Sequence, residues 1–179
     1  KLYEEHKLIS YPRTESRHLS NDMVGELPRI LSVVLRSPTT SQAVRDAFAK
    51  EQIVPGNITA SLLRPRLSKS YVDDTKLTDH HAIIPTHNPI AANLNDKQRN
   101  IYELVAARFL SIFLPPEIRD ETTAIIRMAE HAFRARGIVI RDPGWTVVDP
   151  RQNEPEKKTK SKAKGKDAEG KEGEEKDSG

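Results

Sequence analysis

The 179-residue chain has no cysteine. This excludes a disulfide framework and any thiolate zinc site built from its own residues, and it fits a reducing cytosol. Aromatic residues are scarce, with four Phe, four Tyr and one Trp, so the surroundings of each ring carry information. No apolar run approaches the roughly 20 residues a membrane helix needs. The opening residues are too charged for a signal peptide. From Arg151 onward the sequence has no Ile, Leu, Val, Phe, Tyr or Trp. Such a stretch cannot bury enough apolar surface to offset its ordering entropy, so 150–179 reads as a disordered charged loop or tail.

The charge is modest overall, at +3, but unevenly placed. Residues 1–70 hold 11 Lys and Arg against 7 Asp and Glu, which makes that segment net basic and supports a polyanionic partner only in part. In the tail, residues 157–166 carry six lysines and no acid, whereas 167–177 carry six acids and two lysines. That segment reads as a nucleic-acid or partner arm, or as a solvated insertion whose charges nearly cancel.

The first 150 residues can build a core. Lys1 to His6 reads like the last turns of a helix. Ser20 suits an N-cap, ahead of Met23, Leu27, Ile30, Leu31 and Val34 at near-helical spacing, with Pro28 as a kink or break. Thr39 to Lys50 predicts a second helix burying Ala43, Val44, Ala47 and Phe48. Residues 52–77 read as loop and short elements, with a turn at Pro55-Gly56-Asn57. The longest helical pattern covers 95–113, with Ile101, Leu104, Val105, Phe109 and Ile112 on one stripe and Arg108 on the same face. Beyond Pro115-Pro116 the period shifts toward strands at Thr122–Met128, His131–Arg136, Ile138–Arg141 and Trp145–Val148. The fold class is therefore α+β.

Two runs carry chemistry. Leu8-Ile9-Ser10-Tyr11-Pro12-Arg13-Thr14-Glu15-Ser16 places a tyrosine before a proline, which pushes Tyr11 toward extended backbone, with Arg13 on the same side at strand period. A phenol keeps its proton near neutral pH, so attack on phosphorus needs that proton removed or the phenolate stabilised. Arg13 suits the second task and bidentate contact with phosphate oxygens. From residue types alone, Tyr11 reads equally as a half-buried ring at a strand end, and Arg13 as a member of an ion pair. The second run, Thr78-Asp79-His80-His81-Ala82-Ile83-Ile84-Pro85-Thr86, sets two histidines between an acid and an apolar stretch. A vicinal pair suggests zinc weakly, but no further ligand spacing supports it. Tyr71 and Tyr102 lack the arrangement around Tyr11 and are assigned no chemistry.

Tyr-Pro-Arg-Thr followed by Asp-His-His-Ala-Ile-Ile-Pro-Thr resembles the type IA DNA topoisomerases, in particular the topoisomerase III branch. The resemblance covers about residues 1–149, with Glu15 standing where aspartate is expected. It implies that Tyr11 attacks one DNA strand and becomes joined to a 5′ phosphate, and that Arg13 and His80 complete the catalytic set. Lys7, Arg17, His81 and Arg108 are candidate contacts to the DNA backbone. The alternative for His81 is to face the other way and serve in packing or as a supporting contact. The resemblance further implies a catalytic-tyrosine domain at 1–119, a partial β gate-arch domain at 120–149, and single-stranded DNA as partner alongside the remaining domains of a longer polypeptide. Such enzymes bind magnesium in an upstream domain through a glutamate and an Asp-x-Asp group. No Asp-x-Asp occurs in this sequence, so no metal is expected within the chain and the fragment alone is expected to be inactive. The implied location is cytoplasmic, at the nucleoid. Two alternatives stand beside this reading: a non-catalytic nucleic-acid-binding module, or the topoisomerase part of a reverse gyrase.

Overall fold

A computed structural model describes residues 1–90 and 93–149. The expected tail at 150–179 lies outside the described residues. The architecture is α+β: four helices pack into one body, and a two-stranded antiparallel ribbon extends from it. No helix among the described residues is long and apolar enough to cross a membrane.

The chain begins as a tight turn rather than a helix end. Glu5 N and His6 N both donate to Lys1 O, and Leu2 is buried beneath. Ser20 Oγ accepts from Met23 N ahead of a 3-10 turn at Asp22–Gly25. Helix α1 then runs over Leu27–Arg36. Pro28 does not kink it, because the proline falls in the first turn, where its missing N–H costs nothing. Leu27, Ile30, Leu31, Val34 and Leu35 face inward. Helix α2, Gln42–Lys50, starts later than the composition suggests. Ser41 is the residue whose hydroxyl accepts from Val44 N, and Pro38 and Thr39 form the turn before it. Val44 and Phe48 are buried, whereas Ala43 is exposed. The Arg45 guanidinium closes the end of α1 by donating to Leu35 O and Ser37 O.

Helix α3 is a single turn, Ala60–Leu63, capped by Thr59. Helix α4, Asp96–Ser111, opens on a reciprocal capping box between Asn95 and Gln98. Its buried face is rotated from the predicted stripe. Tyr102, Ala106, Phe109 and Leu110 point inward, whereas Ile101 and Leu104 are 51% and 58% exposed. Tyr102, Phe48, Phe113, Ile53 and Leu63 form the centre of the body. Each such enclosed side chain contributes roughly 1.5–3 kcal/mol by leaving water.

Strands β1, Ile118–Met128, and β2, His131–Asp142, replace the three short strands predicted for this region. Gly137 was the apparent break, but it pairs in register with Thr122 and the ladder runs through it. Trp145–Val148 is not a strand either. Gly144–Val148 forms a 3-10 turn, because Gly144 takes φ +49° and Trp145 N donates back to Pro115 O.

Candidate active site

The tyrosine segment is held by the histidine loop through strand pairing. Ile9 forms an antiparallel bridge with Pro85, flanked by Ser10 N donating to Ile84 O and Thr86 N donating to Leu8 O. Continuing that register sets Pro12 opposite Ala82 and Thr14 opposite His80. Pro12 has no N–H to offer, and Ser10 spans the gap. Its hydroxyl donates to Ala82 O at 3.2 Å and accepts from Ile84 N at 3.0 Å. Thr14 Oγ1 then donates to His80 O at 3.1 Å. Two runs far apart in sequence are thereby locked at fixed register.

The consequence is contact between the two expected functional rings. The Tyr11 and His80 centroids lie 4.5 Å apart at a 52° tilt. Tyr11 is half-buried and His80 exposed. Tyr11 also meets Tyr3 edge-on at 5.3 Å. Sequence reasoning missed Tyr3, and also missed the Ser10 clamp, although a serine directly before Tyr-Pro was visible. Arg13 lines the same cleft of about 540 Å³ as Tyr3, Tyr11, Gln98 and Ile101. It is exposed and forms no ion pair with a described residue. The guanidinium is thus free to meet an anion.

The other candidates separate into two neighbouring clefts. Lys7 and His81 line one, beside Tyr3 and Ile9. Lys7 Nζ sits 5.5 Å from the Tyr3 ring centroid. Lys7 itself is left-handed at φ +53°, with its carbonyl accepting from Thr86 Oγ1 and Asn88 Nδ2. His81 donates Nδ1–H to Ala82 O at 2.7 Å, which fixes its tautomer. Arg17 and Arg108, far apart in the sequence, line the third cleft together.

Among the described residues no group of three or more His, Asp or Glu converges to hold a metal. The adjacent acids Asp73 and Asp74 are engaged locally. Asp73 accepts from the Thr75 hydroxyl, and Asp74 accepts from the Asn21 side chain and backbone. Those hydrogen bonds hold both carboxyls below their ordinary range. With their oxygens already committed to Thr75 and Asn21, these residues do not fit a magnesium site.

The sequence matches the DNA topoisomerase family over residues 1–178. It is 39% identical over 149 residues to DNA topoisomerase 3 of Bacillus licheniformis and 38% identical over 152 residues to that of Bacillus subtilis. The Bacillus cereus DNA topoisomerase 3 is 36% identical over 149 residues. These alignments cover 83% of this chain, but only 18–19% of each relative. The chain belongs to the DNA topoisomerase family. Within it the likeness is to the type IA enzymes of the topoisomerase III kind, of which this chain spans about a fifth.

Proposed function

We propose that this chain carries the nucleophile half of a type IA topoisomerase active site, with Tyr11 as the attacking group. The observation that supports this most directly is the packing of Tyr11 on His80, with Arg13 unpaired in the same cleft. In this reading the Tyr11 oxygen loses its proton and bonds to phosphorus. The bond from phosphorus to the 3′ oxygen breaks, the 3′ oxygen takes up a proton, and the 5′ phosphate stays on Tyr11. Arg13 holds non-bridging oxygens in its fork, where negative charge builds. His80 donates to the same phosphate or orients the phenol. Resealing reverses the step after another strand has passed, and the phosphotyrosine conserves the bond energy, so no nucleotide is consumed.

The substrate of the longer parent is single-stranded DNA in the cytoplasm. Residues 1–119 form the tyrosine-bearing domain and 120–149 a partial β gate-arch domain, whose last turn, Gly144–Val148, packs back on the body. We assign the magnesium site to residues outside these 179. The remaining polypeptide also covers the ribbon, whose apolar side chains Ile125, Ile126, Met128, Phe133, Val139 and Ile140 are half or more exposed.

The test uses the full-length parent and single-stranded DNA labelled at either end. Tyr11→Phe keeps the packing ring and removes the attacking oxygen, so the covalent adduct disappears while DNA binding persists. Arg13→Ala and His80→Ala leave a reaction slowed by about 10²–10³, the usual cost of one oxyanion-stabilising donor. Arg13→Lys restores part of it, since lysine keeps the charge and loses the fork. The 179-residue chain by itself leaves supercoiled plasmid unrelaxed with magnesium present. An adduct in Tyr11→Phe, or an adduct holding the upstream piece of DNA, overturns the assignment.

A further inference from the structure

The cleft that Arg17 and Arg108 share is not used by the chemistry above. It encloses about 440 Å³, and its lining divides by chemistry. Leu19, Ile83, Ile84, Phe109 and Ile112 supply an apolar floor, whereas Arg17, Arg108 and Tyr71 bring polar and aromatic groups. Both arginines are exposed, and neither guanidinium makes a hydrogen bond or ion pair with a described residue. Two unneutralised cations over an apolar floor suit a ligand with a flat apolar face and an anionic edge. A nucleotide has that form: a base to stack and a phosphate to pair.

The walls are already ordered. Ser16 Oγ donates to Lys76 O, Ala82 N donates to His18 O, and Leu19 bridges Val72 beside Tyr71. Arg17 therefore projects from backbone fixed on both sides, so little ordering cost remains for binding. The cleft opens off the same segment as Tyr11. Thr14 lines it, and Arg13 and Arg17 are four residues apart, at most about 14 Å of extended chain.

We infer that this cleft is a nucleotide subsite for the strand cleaved at Tyr11, taking a base against Tyr71 and the apolar floor, and a phosphate between Arg17 and Arg108. The inference rests on the proposed reading that the chain handles single-stranded DNA. Its test measures binding and not cleavage, so the two can fail separately. Fluorescence anisotropy of a short labelled oligothymidylate is followed with the 179-residue chain over a range of salt. The double variant Arg17→Ala with Arg108→Ala weakens binding and lowers the slope of log affinity against log salt by about 0.7, the value for one phosphate contact on a single strand. Each single variant weakens binding but lowers the slope by less, because the remaining guanidinium still pairs with the shared phosphate. Tyr71→Leu weakens binding by about fivefold or more through lost stacking and leaves the slope unchanged. Arg17→Lys with Arg108→Lys restores the slope. Unchanged affinity and slope in the double alanine variant overturn the subsite, as does an unmodified chain that binds no oligonucleotide at low salt. Equal competition by a polyglutamate peptide of matched length also overturns it, since it marks a site for acidic protein segments.

Discussion

Tyr11 and Tyr102 show how much a single ring's meaning depends on its surroundings. Tyr11 sits at a cleft in contact with the rings of Tyr3 and His80, whereas Tyr102 is wholly enclosed and its hydroxyl has no hydrogen-bond partner among the described residues. A buried polar group left unpaired costs about 1–3 kcal/mol. Tyr102→Phe keeps the ring and removes the unpaired oxygen, so the variant should be more stable by about 1 kcal/mol in chemical denaturation. Burial also pushes the Tyr102 phenol up from 10.0. The native state retains this proton where the unfolded chain releases it, so stability is intact below pH 10 and falls as pH rises further. The gap between wild type and Tyr102→Phe should therefore widen above pH 10, and a constant gap across that range counts against the buried phenol. The catalytic candidates were legible at this scale because Tyr-Pro-Arg and His-His are local patterns. Tyr3 was not, since only folding sets its edge against Tyr11.

Secondary structure was legible where side chains near the boundary determine the element and obscure where distant contacts do. The capping box of Asn95 and Gln98 is local, and α4 begins there. The rotation of its buried face is not local. The body selects Tyr102 and Ala106, leaving Ile101 to line the Tyr11 cleft. The ribbon base is the clearest case. Pro143-Gly144 followed by Trp-Thr-Val-Val reads as turn then strand, and its true conformation depends on Pro115 and Pro116. A Cβ on Gly144 would lie 2.4 Å from Pro116 O and 2.5 Å from Pro115 O, at a φ of +49° that side chains disfavour. Lys50 also pairs with Asp142 there, holding the Asp142 carboxyl below its usual range. Gly144→Ala should cost roughly 2–4 kcal/mol through strain and lost contact. Gly137→Ala, with nothing within 4 Å of its added carbon, serves as the control. Equal thermal midpoints for the two variants would show that the base is not packed as described.

Across the whole molecule, the body and the ribbon differ in what sustains them. The body has a continuous core from Leu2 to Val148. Every position of β1 is exposed, as is all of β2 but Asp142. An isolated two-stranded ribbon is marginal in water, and exposed pairs such as Arg141–Asp120 add little against solvent screening. The ribbon nevertheless carries apolar side chains on both faces, with Ile126 beside Phe133 and Ile140 beside Arg119 in the pairing register. This apolar, branched content is what made the region read as strands. The reading was right about strand type and silent about what covers them, because the chain holds only a fifth of its relatives' length. Native-state hydrogen exchange tests the difference. In the dilute 179-residue chain, amides of α1 and α4 should exchange only through global opening, and ribbon amides through cheap local opening. In the full-length parent the same ribbon amides should slow by orders of magnitude, as the remaining polypeptide packs on them. Ribbon amides protected as strongly as those of α1 in the dilute chain would mean that the two strands stand alone, and the proposed covering by the rest of the enzyme would lose its basis.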